Sequence, residues 1–278
     1  MEFRRSLSVC FIGLALLESV IAVSGAKPVS IHLLNWNIDR GYKLDEIAAE
    51  IRRIHPDIAT LQEVDLNARR TGRVDVAKDL ANRLGLQYAW GKAFEEVNQG
   101  ESNDPAYQGQ ATLTSYTIRS RRVLQFARQT SFWKPEPYLP KWFPQRRIGG
   151  RVALVTELEI QSRRVVVYNL HLESRGPGVA RFEQLKETVR DARTYASDVP
   201  VIVAGDLNTK YFPSRFAHEL EADGFRDCFN GSRPRTHHLA GSLDWIFVRG
   251  PAICEQARVV KEAKPSDHYP LSATIELR

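Results

Sequence analysis

The stretch Val201-Ile202-Val203-Ala204-Gly205-Asp206-Leu207-Asn208 decides how this chain is read. Its first four residues are apolar and mostly β-branched, the composition of a strand. Apolar strands usually end in turn-formers; this one ends in an acid and an amide. Residues i and i+2 of an extended chain point the same way, so Asp206 and Asn208 project onto one face. Taken alone, an Asp-x-Asn after Gly reads as a loop cap.

The same ending recurs. Ile31-His32-Leu33-Leu34-Asn35-Trp36 runs into Asn37-Ile38-Asp39, and Asp57-Ile58-Ala59-Thr60-Leu61-Gln62 runs into Glu63. Val165 to Leu170 leads to His171, Asp244 lies within Ser242 to Phe247, and Ser266-Asp267-His268 opens the last apolar run. Each has a plain structural reading: a turn, a solvated strand end, a hydrogen-bonded core histidine. It is their repetition at strand ends that carries weight.

Apolar β-rich runs fall at 29–36, 57–62, 111–118, 152–160, 164–172, 199–204, 243–248 and 269–277. Between some of them lie helical stripes. Leu44, Ile47, Ile51 and Ile54 share a face that stops at Pro56, and Val76, Ala77, Leu80 and Leu84 make another, closed by Gly85. Val179, Phe182, Leu185 and Val189 form a third; Phe216 and Leu220 begin a fourth that ends at Gly224. The runs 152–160 and 164–172 follow one another without a helix, which excludes a strictly alternating barrel. Two packed sheets with outer helices, in one domain, are expected.

With 278 residues, 43% hydrophobic and 26% charged, the chain is neither a disordered nor a disulfide-dense mini-protein. The net charge of +6 suits a polyanion or anionic membrane partner and also suits plain solubility, since no block of like charges occurs. Residues 1–26 have the layout of a secretory signal peptide: Arg4 and Arg5, an apolar run broken by Glu18, then Ser24-Gly25-Ala26. An uncleaved membrane anchor is the alternative, but the run is short of the ~20 apolar residues a span requires. Residues 27–278 are taken as the domain, and a secreted or periplasmic location is expected. Of three cysteines, Cys228 and Cys254 stay in the mature chain, either as a disulfide or as two buried thiols. Residues 128–150 hold four prolines and the aromatics Phe132, Trp133, Tyr138, Trp142 and Phe143, a loop that covers a sheet edge or one that stacks bases or meets lipid.

If the strands share two packed sheets, their ends converge on one rim. Glu63, Asp206, Asp244 and Asp267 would then crowd one site, where like charges repel and desolvation costs several kcal/mol per ion. A hard divalent cation offsets this, and Mg²⁺ suits carboxylate plus amide better than zinc does. Histidines beside such a cluster are expected to rise in pKa and grip a phosphate. Metal, cation and acid together describe phosphate-ester hydrolysis.

Six segments in order carry a further signal: Asn-Trp-Asn-Ile-Asp at 35–39, Leu-Gln-Glu-Val at 61–64, Asn-Leu-His-Leu at 169–172, Gly-Asp-Leu-Asn at 205–208, Leu-Asp-Trp-Ile at 243–246 and Ser-Asp-His-Tyr-Pro-Leu at 266–271. In these the chain, from about residue 29 to its end, resembles the endonuclease/exonuclease/phosphatase superfamily, whose fold is that of deoxyribonuclease I. The resemblance implies an α+β fold: a four-layer α/β/β/α sandwich of two mixed β-sheets with outer helices. It also implies phosphate-ester hydrolysis with Mg²⁺, or Mn²⁺ in its place, by direct attack of water. By the same resemblance Glu63 is the principal metal ligand, assisted by Asn37, Asp39 and Asp267. Asp206 orients or deprotonates the water, Asn208 contacts the scissile phosphate, Asp244 orients His268, and His268 and His171 flank the phosphate. The chain departs at Gly109-Gln110-Ala111-Thr112-Leu113-Thr114-Ser115-Tyr116, where many relatives carry an arginine. Gln110 can still donate an amide hydrogen bond to substrate, and Arg70, in the basic turn 69–73, is a second substrate-binding candidate. His237 and His238 are given no chemistry.

The expected activity is an extracytoplasmic phosphodiesterase of endonuclease type, acting as a monomer. A lipid headgroup phosphodiesterase of sphingomyelinase type, with peripheral membrane contact, and a phosphomonoesterase share the same catalytic parts. A non-catalytic phosphate-binding module is the rival of another class; against it, every acid and imidazole the chemistry needs is present.

Overall fold

The computed structural model describes residues 28–130, 147–176, 178–210 and 213–278. The expected signal peptide and most of the proline- and aromatic-rich loop lie outside them.

Strand β1 (Val29–Arg40) shows how one run serves two layers. Ile31 and Leu33 join Val165, Val167, Ile202 and Ile246 in an apolar core between two sheets. Leu34, Trp36 and Ile38 point the other way, into a core with Ile47 and Ile51 of α1 (Leu44–Ile54) and Val76 and Leu80 of α2 (Val76–Leu84). Both helices end as the sequence predicts. His55 takes the left-handed cap of α1 before Pro56, and Gly85 (φ 67°) caps α2, whose start is capped by the Asp75 carboxylate.

After β1 come β2 (Ile58–Leu66), β3 (Gln87–Glu95), β4 (Tyr107–Thr114), β5 (Thr117–Gln125), β6 (Ile148–Gly149), β7 (Val152–Ile160) and β8 (Arg163–His171). Helix α3 (Val179–Ala192), β9 (Val201–Asp206), α4 (Pro213–Glu221), β10 (Arg226–Asp227), β11 (Asp244–Arg249), β12 (Ala252–Val259) and β13 (Leu271–Leu277) complete the chain. One sheet has the order β12-β13-β1-β2-β4-β3-β6, the other β10-β11-β9-β8-β7-β5. A third core packs α3 and α4 on the outside of the second sheet through Tyr168, Leu185, Phe216 and Phe247. The layers are therefore helix, sheet, sheet, helix.

Both sheets are mixed. Each contains one parallel pair, β1–β2 and β8–β9, and each pair is joined by a helix. A parallel pair delivers both carboxyl ends to the same rim, where open α/β sheets bind ligands. The fold brings the two rims together.

One expectation about the strands is corrected. The run 111–118 is the end of β4 and the start of β5, split at Ser115-Tyr116 where the chain leaves one sheet for the other. Strands β3 and β12 were not legible, because β12 is an edge strand with partly exposed polar side chains and β3 mixes exposed with buried ones. Cys228 and Cys254 form a disulfide with Cα atoms 5.2 Å apart. It joins the segment after β10 to β12, tying the outermost strand of one sheet to that of the other. By loop closure over 26 residues it contributes about 3.5 kcal/mol.

Candidate active site

Going up the inter-sheet space, the apolar core gives way to a layer of buried amides. Asn35, Thr60, Gln62 and Asn169 sit on the faces that hold Leu33, Ile58 and Val167 one step below, because side-chain direction repeats every two residues. Gln62 Nε2 donates to Asn35 Oδ1 (2.9 Å) and Asn169 Oδ1 (2.8 Å), and Thr60 Oγ1 donates to Asn35 Oδ1 (2.9 Å). Asn169 Nδ2 donates to the Leu61 and Ala111 carbonyls. This lattice pairs most of its polar atoms, each of which would cost about 1–3 kcal/mol buried and unpaired, and leaves Asn35 Nδ2 and Gln62 Oε1 without a partner among the described residues. It forms the floor of the site.

An unbroken β2 would send Glu63 outward with Ala59 and Leu61. Glu63 instead takes φ 53°, and the pairing register of β2 slips between Leu61 and Val64. This bulge aims the carboxylate into the cleft, 3.9 Å from His171 Nε2. Asp39 and Arg40 are likewise left-handed, at the register break with β2, and Asn208 has φ 52°. Left-handed non-glycine residues gather at functional sites because the surrounding structure holds the strain.

At the centre, His268 Nδ1–H donates to Asp244 Oδ2 (2.8 Å), while its Nε2 faces Asp206 Oδ2 at 3.7 Å. Ser266 Oγ donates to the Asn37 carbonyl (2.7 Å) and accepts from the His268 backbone N–H (3.1 Å), and Trp36 Nε1 donates to the His268 carbonyl (2.9 Å). Thr236 Oγ1 accepts the N–H groups of Leu243 and Asp244, fixing the acid from behind. Asp206 is held by the Asn37 Nδ2–H (3.1 Å) and the Asn208 N–H (2.9 Å). Asn208 Nδ2 donates in turn to the Leu172 carbonyl (3.1 Å).

These contacts set the protonation states. Burial alone would lower His268, but Asp244 and Asp206 outweigh it and push the ring up to about 10, so it is an imidazolium. Burial raises Asp206 to about 6, against the pull of His268. His171 does not rise as expected. Burial first, then Arg151, His268, Arg147 and Arg40, hold it well below its usual range. Its acidic neighbours, Asp206 at 3.6 Å and Glu63 at 3.9 Å, are too far to hydrogen-bond and offset this. One histidine is charged and the other neutral.

For a cation, the donors to hand are oxygens. Asp39 is raised by burial and by Asp267 and Glu63, with Arg40 opposing, so the three acids share one electrostatic site. Arg40 forms ion pairs with Asp39 and with Glu63 (3.3 Å). Glu63 Oε2 is buried and accepts no hydrogen bond among the described residues. An all-oxygen set of Glu63, Asn37, Asp39 and Asp267 fits a hard divalent ion. The tighter triads of acid and imidazole, Asp206–Asp244–His268 and His237–Asp267–His268, do not include Glu63. In the first, His268 is hydrogen-bonded to Asp244 through Nδ1 and faces Asp206 electrostatically through Nε2.

A family model described as the endonuclease/exonuclease/phosphatase family matches residues 34–268. The chain belongs to that family. A comparison with curated protein sequences finds no match. Among solved structures, an endonuclease/exonuclease/phosphatase of Beutenbergia cavernae DSM 12333 is similar at TM-score 0.69 and 18% identity, over 89% of this chain and 72% of that one. The human Nocturnin catalytic domain with bound sulfate is similar at TM-score 0.66 and 19% identity, over 91% and 97%. A humanized TDP2 of D. rerio is similar at TM-score 0.63 and 16% identity, over 88% and 98%. At these identities the likeness is one of fold, and the fold is that of the superfamily expected from the sequence.

Within this endonuclease/exonuclease/phosphatase fold, the structure gathers Asn37, Asp39, Glu63, His171, Asp206, Asn208, Asp244, Asp267 and His268 around one cleft. Gln110 and Arg70 are placed differently from the rest. Gln110 lies buried beside the amide floor, with its Nε2–H spent on the Val152 carbonyl (2.8 Å). Arg70 clamps buried Asp65 with two hydrogen bonds (2.7 and 2.8 Å) and reaches Glu96 (3.2 Å), which also pairs with Arg147. Its donors are committed to these two buried acids, of which Asp65 has no other cationic partner among the described residues. Sequence reasoning quoted Asn35, Gln62, Asn169 and Ser266 within motifs without giving them work, and gave none to Thr236 or His237. The available signal was a polar residue two positions before Asn37, His171 and His268, namely Asn35, Asn169 and Ser266, with Gln62 directly before Glu63.

Proposed function

We propose that this chain is an extracytoplasmic, Mg²⁺-dependent phosphodiesterase that cleaves its substrate by direct attack of water. The observation that carries the reading is the relay Asp244–His268–Asp206 beside the oxygen donors of Glu63 and Asn37. Asp206, ionised yet raised by burial, is a proton acceptor suited to a water near neutral pH. The water oxygen bonds to phosphorus, its proton passes to Asp206, and the ester bond to the leaving oxygen breaks. His268, fixed by Asp244, presents a positive charge at neutral pH to the developing negative charge on the phosphoryl oxygens. Neutral His171 and Asn208 bound the phosphate on the other side. A divalent cation held by Glu63 and Asn37, with Asp39 and Asp267 alongside, supplies Lewis-acid polarisation of the phosphate when bound.

The net charge of +6 favours a polyanionic nucleic acid as substrate. That a relative, human Nocturnin, was solved with sulfate bound agrees with a fold that accepts tetrahedral anions. The disulfide supports an oxidising location. The test is turnover of DNA, RNA and phospholipid vesicles with Mg²⁺ and then EDTA. Asp206→Ala and His268→Ala should each remove at least ~10²-fold of the rate with the fold retained. Wild-type turnover in either variant overturns the mechanism; faster turnover on vesicles than on nucleic acid moves the substrate to lipid headgroups.

A further inference from the structure

His237 lies in the segment between α4 and β11 and takes no part in the chemistry above. Its Nδ1 accepts two backbone N–H groups, from Leu239 (2.9 Å) and Ala240 (2.9 Å). The turn that presents them is closed by the N–H groups of Thr236 and His237, both donating to the Gly241 carbonyl (2.9 and 3.0 Å). Nδ1 of a neutral imidazole has one in-plane lone pair. A proton there would face two N–H groups at hydrogen-bond distance. The single ring proton therefore sits on Nε2.

That Nε2–H faces Asp267 Oδ2 at 3.4 Å. The ring stands at 88° to His268 with centroids 4.7 Å apart, and the backbones of the two residues form a bridge. The neighbouring His238 N–H donates to the Asp267 carbonyl (2.9 Å). Asp267 itself is the most exposed acid of the site, its side chain 55% exposed against 16% for His237, and its one other side-chain neighbour among the described residues is Ser266 Oγ, 3.4 Å from Oδ1. Held on that side only by the long Ser266 contact, an acid so exposed can turn to solvent unless His237 faces it.

His237, Asp267 and His268 lie close enough to hold a cation. A histidine binds metal through a ring lone pair, and the second nitrogen of a ligating ring normally donates to its support. At His237 the arrangement is reversed: the supported nitrogen is the acceptor, and the nitrogen facing the cleft carries the proton. We infer that His237 is a positioning residue, locked as a neutral Nε2–H donor that steadies Asp267 and buttresses the His268 ring, and that this triad is not a second cation site. What is being positioned rests on the phosphodiesterase reading; the tautomer does not.

Two substitutions separate positioning from loop anchoring. In His237→Asn the amide oxygen lies near the place of Nδ1 and keeps the acceptor for Leu239 and Ala240, but the donor toward Asp267 is lost. In His237→Gln the amide N–H reaches toward Asp267. Nitrogen-15 NMR of the side chains at neutral pH should show the proton on Nε2 of His237. His237→Asn should melt within about 2 °C of wild type, yet bind Mn²⁺ about 10-fold more weakly. Its kcat at saturating Mn²⁺ should fall about 10-fold, and His237→Gln should recover at least about half of that loss. Mn²⁺ stoichiometry should be the same in all three proteins. A proton on Nδ1, one fewer Mn²⁺ equivalent in His237→Asn, or wild-type Mn²⁺ affinity and kcat in that variant would overturn the inference. If the wild type hydrolyses no phosphodiester, the proposed function fails, while the NMR and Mn²⁺ measurements still decide the role of His237.

Discussion

Asp244 and His268 are 24 residues apart in the chain, and their side chains meet at 2.8 Å across the two sheets. Asp244 opens β11 of one sheet; His268 stands just before β13 of the other. The bond that charges the imidazole is therefore also a clasp between the layers.

Asp244→Asn removes the acid that orients and charges His268. The expected loss in kcat is ~10²–10⁴-fold, the range seen when the partner of a catalytic imidazole is neutralised. The amide is isosteric, so circular dichroism should remain that of the wild type. Turnover within about threefold of wild type would show that Asp244 is only a structural clasp.

The pH profile follows from opposite requirements. Asp206 must be ionised to accept a proton, and its raised value places the acid limb of kcat/KM near 6. His268 must be protonated, so activity is lost on the alkaline side near 10. A plateau between these limits is expected, and a bound dication, favouring the deprotonated forms, should draw both limbs downward. Because the His268 value is raised by folding, its contribution to stability is full below about 6.5 and lost as pH climbs through about 10. Asp244→Asn should pull the alkaline limb downward; an unmoved limb would assign it to another group.

Cation binding should show in thermal melts. A ligand at 100 times its Kd adds about 2.7 kcal/mol, which is roughly 5–11 °C in Tm for a domain of this size. Glu63→Gln keeps the shape and loses the charge, so its Tm should hardly respond to Mg²⁺. A full Mg²⁺ shift in that variant would move the principal ligand elsewhere.

Arg70 provides a case in which stability and binding separate. Arg70→Ala leaves Asp65, a fully buried carboxylate, without its two-pronged partner. Breaking a buried pair on one side costs about 3–5 kcal/mol, read by denaturant unfolding. If instead KM rises with stability intact, the guanidinium serves substrate.

Reduction of the Cys228–Cys254 bridge, or replacement of both residues by serine, should lower unfolding stability by up to about 3.5 kcal/mol. Activity below the new Tm should persist, since the bridge ties sheet edges away from the cleft. Unchanged stability would mean that sheet packing alone holds these edges.

Much of this was legible in the chain. The stripes of α1 and α2, their caps and the strand β9 were read from period and terminators, because helix ends and apolar runs are local events. Asp206, Asn208 and Glu63 stood out because acids and amides ended apolar runs, and His268 because Ser-Asp-His opened the last one. Strands β3 and β12 were not legible, because a partly exposed or edge strand has no clean alternation. The ion pairs of Arg70 were not legible for a related reason: a basic turn reads as substrate-facing or solvated until its buried counter-ions, Asp65 and Glu96, are placed beside it.

The sequence by itself determined the layers and the cast of the site, since β-branched alternation and helical periodicity follow from residue order alone. The tertiary structure decided which imidazole is charged, that Glu63 turns into the cleft, and that Nδ1 of His237 is an acceptor. Those properties depend on desolvation and on distances between residues far apart in the chain, and on a bulge whose reward is a contact with another sheet. Local pattern carries no information about such distances.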